Sequence, residues 1–192
     1  TLYQASSQFE YRRSSCCIAV PWWFSPTQLG KERHQAKEAY CIYDRYTTDE
    51  QPGLSRVCLG GTYPSKYIDD YYEKMHDNAV KMFKEIGINN GVLMLSGFYE
   101  NGEFYVYDTG FRLQGEAPHL LMKAIHGFDQ REMLIRFALT GSEGDVDLKT
   151  EDDARLKGKW ASTLWVLLKE GLISKIEGLE EISKDKRVVA NI

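Results

Sequence analysis

Several features that would assign this sequence to a familiar functional class are missing from it. The four cysteines form no Cys-x-x-Cys pair, and the four histidines complete no zinc-ligand spacing. No apolar run approaches the roughly 18 residues that a membrane span needs. The net charge is −4 with acids and bases interspersed, which argues against nucleic-acid binding as the main task. We therefore expect a cytoplasmic protein with free thiols, without a membrane span or a nucleic-acid partner.

The sequence shows no internal repeat or low-complexity tract, and we expect no signal peptide. It does not begin with methionine, so we expect a processed or truncated form of a longer protein. Its 192 residues, of which 43% are apolar and 27% charged, suffice for one domain or two small ones. The composition is that of an ordinary globular protein.

Strand-like and helix-like segments are mixed without regular β-α-β alternation, which favours an α+β fold. An aromatic, β-branched strand is predicted at 39–46, and a short one near 56–59 that Gly60-Gly61 should break. Two further strands are predicted near the C-terminus, at 172–176 and 188–192.

One long amphipathic helix is predicted over 66–86, with Ser65 as a candidate N-cap and a break near 76–77. Gly87 would end it. Three shorter helices are predicted at 118–125, 130–139 and 178–183.

Residues 91–116 form the most informative stretch of the chain. Two apolar, aromatic strands flank Asn101-Gly102, and this dipeptide is the strongest short-range hairpin signal. The loop length decides the register. A three-residue loop would set Ser96 opposite Asp108 on one face, whereas a two-residue turn would set it opposite Tyr107. Only the first register would let two oxygen ligands converge on a metal ion.

Asp108 and Arg112 stand where the second strand of this hairpin runs out. A carboxylate binds a hard cation, and a guanidinium can form bidentate hydrogen bonds with phosphate oxygens. The two side chains together could therefore hold a metal-bound polyphosphate. A surface ion pair is the alternative. Asp44-Arg45 likewise indicates either a phosphate-side contact or a strand-end charge pair. For His119 and His126 we expect capping or surface roles rather than general-base work.

The stretch 108–115 resembles the Glu-x-Asn-Pro-Arg motif that ends the corresponding strand in ATP-grasp ligases. Asp108 matches the magnesium-binding acid, Arg112 matches the arginine that contacts the transferring phosphate, and Ser96 falls at another magnesium-ligand position. Gly110 departs from the motif because asparagine is the usual residue there. Three further segments, 44–46, 64–67 and 87–91, recur in this order in carbamoyl-phosphate-synthase-like ATP-grasp proteins, and 171–180 resembles the small C-terminal region that follows their catalytic domain.

This resemblance implies an architecture for the chain. Residues 39–141 would form an ATP-grasp-like C-terminal subdomain with an antiparallel sheet and flanking helices. A divergent N-terminal segment at 1–38 would precede it. A linker and a small C-terminal α/β region at 142–192 would follow.

The resemblance also implies a function. ATP and magnesium would be the cofactors: Asp108 and Ser96 would bind the metal, Asp108 and Arg112 the nucleotide, and Arg112 would be catalytic. A small carboxylate would be activated as an acyl phosphate and attacked by an amine or thiol. The family's phosphate-covering loop and lysines are missing, so we expect this chain alone to be inactive and to require the missing N-terminal half. A degenerate, non-catalytic ATP-grasp scaffold is the alternative, and a homodimer is left open.

Overall fold

A computed structural model describes residues 15–19, 39, 41–48, 57–88, 91–141, 154–168 and 170–189. These residues form a six-stranded antiparallel sheet with helices packed against it, which confirms the predicted α+β class. In the described part of the chain, no helix is long and apolar enough to cross a bilayer. The linker predicted at the start of 142–192 lies outside the described residues as far as residue 153.

The sheet contains strands from all three predicted regions of the chain, 1–38, 39–141 and 142–192. Its strands are β1 (Ser15–Ala19), β2 (Cys41–Thr47), β3 (Cys58–Tyr63), β4 (Met94–Glu100), β5 (Glu103–Gly110) and β6 (Ala161–Leu164). Their spatial order is β5-β4-β1-β2-β3-β6. β1, from the N-terminal segment, lies between β4 and β2, and β6, from the C-terminal region, pairs with β3. The division at 38 and 141 itself stays a prediction.

The residues that the structure describes contain five α-helices. They are α1 (Ile68–Lys74), α2 (His76–Glu85), α3 (Pro118–His126), α4 (Gln130–Thr140) and α5 (Leu179–Ser183). The predicted break near 76–77 is confirmed, since α1 and α2 are separated at Met75. The N-cap position predicted at Ser65 is wrong, because α1 begins at Ile68 with Tyr67 as its N-cap. The Ser65 hydroxyl still accepts from the Tyr67 amide at 3.0 Å, and it donates to Asp44 at 2.6 Å.

Alternating side chains along β2 divide the core between the two faces of the sheet. Ile42 belongs to a buried cluster with residues of α1 and α2, among them Tyr71 and Phe83. Tyr43 belongs to a second cluster, which includes Met122 of α3 and Met133 of α4. The candidate site described below lies on the Tyr43 face.

The prediction that Gly60-Gly61 ends the strand near 56–59 is wrong, because β3 runs through both glycines to Tyr63. A Cβ at Gly60 would lie 2.4 Å from the Thr163 backbone oxygen, and one at Gly61 would lie 2.6 Å from Cδ2 of Tyr43. The two glycines therefore let a neighbouring strand and a core tyrosine approach closely, which is a recognised use of glycine within strands.

The strand predicted at 172–176 is wrong. These residues are exposed and do not pair with any described strand, and Leu172 is 95% exposed. An apolar segment becomes a stable strand only when a neighbouring strand satisfies its backbone groups, and no described strand does so here. The helix predicted at 178–183 is confirmed by α5. Residues 188–189 are not in a strand, and the remainder of the predicted 188–192 strand lies outside the described residues.

Candidate functional site

The hairpin of β4 and β5 closes through the two-residue turn that Asn101-Gly102 predicts. Both residues have positive φ, 53° and 80°, as a type I′ turn requires. Glu100 pairs with Glu103 directly across the turn. The alternative of a three-residue loop is therefore wrong.

Ser96 nevertheless lies opposite Asp108, because β5 contains a bulge. Gly97 pairs with Val106 but Ser96 pairs with Asp108, so Tyr107 is the extra residue on the bulged strand. A Cβ at Gly97 would lie 2.9 Å from the Tyr105 backbone oxygen, so glycine permits the close approach beside the bulge. The pairing that could bring two oxygen ligands together is thus present, and it results from the bulge rather than from a three-residue loop.

Asp108 and Arg112 are both exposed on the edge strand and the segment after it. Asp108 makes no salt bridge with any residue that the structure describes. Arg112 donates from Nη1 to the Leu113 backbone oxygen at 3.1 Å. The surface ion pair offered as the alternative is therefore not formed. Ser96, by contrast, is only 4% exposed.

A cluster of four side chains on the Tyr43 face ties the segment after β5 to the central strand β2. The Tyr43 hydroxyl donates to Glu116 Oε2 and accepts from Gln114 Nε2. Gln114 Nε2 also donates to Glu116 Oε2 at 2.9 Å, and Arg45 Nη2 lies 2.5 Å from Glu116 Oε1. We call Tyr43, Arg45, Gln114 and Glu116 the Glu116 cluster.

The Glu116 cluster was not predicted as a unit, since about 70 residues separate its two halves. Arg45 was a candidate only through Asp44-Arg45, and the strand-end pairing of those two is not observed. They lie on opposite faces of β2, as neighbours in a strand must. Asp44 is buried and accepts from Ser65 at 2.6 Å and from the Lys66 amide at 3.1 Å.

Cys58 lies beside the Glu116 cluster at the start of β3. Burial raises the pKa of its thiol, an effect that a hydrogen bond with Arg45 opposes and the charge of Glu116 reinforces. The thiol therefore stays protonated at neutral pH and behaves as a weak polar neighbour rather than as a nucleophile.

Strand register relates the Glu116 cluster to Asp108. Asp108 pairs with Ser96, Ser96 with Cys17, and Cys17 with Tyr43. These four positions form one row across four strands, so Asp108 and Tyr43 are about 14 Å apart at the usual spacing of 4.7–4.9 Å per strand. The segment 111–117 covers this distance along the same face, and Arg112 lies within it.

His119 and His126, which both lie in α3, are not part of this row of paired strand positions. Burial, with a contribution from Arg131, lowers the pKa of His119. His126 is 5% exposed at the end of α3 and stacks on Phe128 with the ring centroids 5.8 Å apart. His126 is thus a buried residue, and the surface role expected for it is wrong.

The donor set around Asp108 is small. Among the described residues, no group of three or more histidine, cysteine, aspartate or glutamate side chains could hold a metal ion. Asp108 and Ser96 together offer one carboxylate and one hydroxyl. The site assignments of Asp108, Ser96 and Arg112 stay predictions.

Comparison with known proteins assigns no family. No protein family model and no curated protein sequence matches the chain. Among solved structures, phosphoribosylglycinamide synthetase from Anaerococcus prevotii is similar over 68% of this chain and 29% of that one, with 14% identity and a TM-score of 0.45. A single-chain, multi-domain long-chain acyl-CoA carboxylase is similar over 68% of this chain and 11% of that one, with 16% identity and a TM-score of 0.42. The chain thus spans less than a third of each neighbour, and both TM-scores are too low to establish fold, family or function.

Proposed function

We propose that this chain supplies the magnesium- and phosphate-binding hairpin of an ATP-grasp ligase, which activates a carboxylate as an acyl phosphate for attack by an amine or thiol. The observation that carries the proposal is the bulged register, which sets Ser96 opposite Asp108. The motif resemblance supplies the roles: Asp108 as metal ligand and Arg112 as the residue that stabilises the transferred phosphoryl group. The proposal includes a cytoplasmic location and a missing N-terminal half.

The donor set at Asp108 fits magnesium. This ion keeps several of its waters and is commonly bound through one or two carboxylates together with substrate phosphates. An exposed carboxylate with no salt bridge in the described part of the chain suits that requirement. Ser96 is buried, so its hydroxyl would be the minor ligand. When bound, magnesium would neutralise part of the phosphate charge.

Arg112 suits a phosphate-binding role because its guanidinium is exposed and bonds only weakly to its own segment. The 3.1 Å hydrogen bond to the Leu113 carbonyl uses one of the five N–H donors of Arg112. The other donors remain available for bidentate hydrogen bonds with phosphate oxygens. Catalysis of phosphoryl transfer depends on such positioned cations. Arg112 alone cannot replace the family's phosphate-covering loop, so we propose that the isolated chain is inactive.

A second candidate function is a non-catalytic ATP-grasp scaffold, and Gly110 favours it. A Cβ at Gly110 would lie 3.1 Å from Cγ of Met94 and 3.4 Å from Cγ of Arg112. An asparagine at this position would therefore require the buried Met94 side chain to shift by a few tenths of an ångström. The local packing matches the absence of that ligand, as expected if the site has lost its metal.

Calorimetric titration with ATP, with and without magnesium, distinguishes the two candidates. We expect the longer protein that carries this chain to bind ATP in a magnesium-dependent way. Asp108→Ala should weaken binding about tenfold or more, the loss expected from one charge-assisted contact of about 1.5–3 kcal/mol. Glu103→Ala, an exposed acid on the same strand, is the matched control and should bind as the wild type does.

Two outcomes would contradict the ligase proposal. Unchanged affinity in Asp108→Ala would remove this residue from the metal site. No magnesium-dependent binding by the wild-type longer protein would favour the scaffold, and the search would then turn to protein partners.

A further inference from the structure

We infer that Arg45 and Tyr43 are positioning residues, which hold the segment 111–117 across the sheet and thereby fix the location of Arg112. The part played by Arg112 rests on the proposed function. The holding of the segment does not, and it can be tested separately.

Glu116 is the point of attachment. Both of its carboxylate oxygens are used: Oε1 lies 2.5 Å from Arg45, and Oε2 accepts from Tyr43 and Gln114. Three donors thus converge on one carboxylate, two of them from β2. Charge-assisted bonds of this kind are roughly twice as strong as neutral ones.

The burial of this ion pair distinguishes it from the surface pairs of the chain. The side chains of Arg45 and Glu116 are 27% and 16% exposed, whereas those of Lys175 and Glu177 are 71% and 72% exposed. Exposed pairs contribute little because water and salt screen them, and screening weakens with burial. The Arg45–Glu116 ion pair should therefore contribute more to stability than an exposed pair such as Lys175–Glu177.

The β2 side of the attachment is rigid. Tyr43 is 1% exposed and its ring stacks on Tyr63, with centroids 4.6 Å apart and planes within 12°. β2 also lies inside the sheet, between β1 and β3. A contact to Tyr43 or Arg45 therefore fixes the segment relative to the sheet rather than to another mobile element.

The segment 111–117 is held at both ends. At its start, Phe111 covers Gly91, where a Cβ would lie 2.4 Å from Cζ of the ring. At its end, Glu116 is bound by Arg45. Arg112 lies between the two attachments, so losing the Arg45–Glu116 ion pair would loosen the segment, which the hydrogen bonds of Tyr43 with Gln114 and Glu116 also tie to β2.

Limited digestion with trypsin measures this holding directly, because Arg112 is itself a cleavage site. When opening is fast relative to cleavage, the cleavage rate follows the population of the opened segment. We expect Arg45→Gln and Glu116→Gln each to accelerate cleavage between Arg112 and Leu113 about tenfold, which corresponds to about 1.4 kcal/mol of local stability. Cleavage after Arg136 in α4 should not change.

The chain offers a matched control. Arg155 pairs with Asp69 at 2.7 Å and lies over the Tyr72 ring at 4.6 Å, so it is also an arginine held by a carboxylate and a tyrosine. Arg155→Gln should leave cleavage at Arg112 unchanged. Arg45→Lys keeps the positive charge and should recover part of the wild-type protection.

A second readout separates positioning from a purely structural role. In the longer protein, Arg45→Gln should weaken magnesium-ATP binding, while its melting temperature stays within a few degrees of wild type. Faster cleavage with unchanged affinity would overturn the positioning role, and unchanged cleavage at Arg112 would overturn the holding itself. If Arg45→Gln unfolds the chain, Tyr43→Phe retains the ring and removes the hydroxyl, and the same two readouts decide. A wild type that binds no ATP would refute the proposed function, and cleavage would still decide whether the segment is held.

Discussion

Replacement of Gly61 by alanine tests how the sheet supports the candidate site. A Cβ at this position would lie 2.6 Å from Cδ2 of Tyr43, a separation that real Cβ contacts essentially never reach, and 3.0 Å from Cε2. The tyrosine cannot turn away freely, since its ring is buried against Tyr63 and its hydroxyl is bonded to Glu116 and Gln114. The added methyl group must therefore strain the core and displace the Glu116 cluster together.

The size of the effect follows from overpacking. Forcing one extra carbon into a well-packed core costs about 1–3 kcal/mol, and the rigid ring places Gly61→Ala in the upper half of that range. A loss of about 2 kcal/mol would lower the melting temperature of a chain of this length by about 4–8 °C. Because Tyr43 moves, trypsin cleavage after Arg112 should also become faster.

Urea unfolding followed by circular dichroism measures the loss. Gly115→Ala is the matched control, because a Cβ at Gly115 would meet nothing within 4 Å and its φ is not in the positive region. The control should remain within about 0.5 kcal/mol of wild type, as surface substitutions usually do. Equal stability of Gly61→Ala and Gly115→Ala would refute the reasoning, since Tyr43 would then be free to shift.

Two further predictions concern α3 and α4. Asp129 is the N-cap of α4 and accepts from the Arg131 amide at 2.9 Å, so Asp129→Ala should cost about 1–2 kcal/mol in urea unfolding, and Asp129→Asn clearly less. The pKa of His119 lies below its ordinary 6.5, so the unfolded chain binds this proton more readily and stability should fall as the pH drops below 6.5. His119→Gln should reduce the loss of unfolding free energy between pH 7.5 and 5.5. An unchanged pH dependence in this variant would show that His119 does not cause the loss.

The parts of the fold that could be predicted are those that local chemistry decides. Asn101-Gly102 permits positive φ at two successive residues, and the type I′ turn follows from that property. Gly141 ends α4 in the left-handed conformation, as a glycine after an apolar helical run predicts. In both cases the deciding interaction lies within a few residues of the signal.

The parts that could not be predicted depend on contacts between distant segments. The bulge at Tyr107 decides whether Ser96 faces Asp108, but no residue type requires a bulge there. β1 carries no clear alternation, yet it forms a strand because β4 and β2 pair with it from both sides. Gly60-Gly61 has the local character of a strand breaker, and the packing of Tyr43 and Thr163 overrides it.

Asp44 and Arg45 show how sequence adjacency and functional grouping diverge. As neighbours on a strand they point to opposite faces, so their charges serve different structures. Asp44 organises the turn before α1 through Ser65 and the Lys66 amide, while Arg45 fixes Glu116 on the other face. A substitution at Asp44 should therefore perturb the entry to α1 and leave Arg112 in place, whereas one at Arg45 should do the reverse. The dipeptide thus contributes one residue to the turn that leads into α1 and one to the proposed phosphate site.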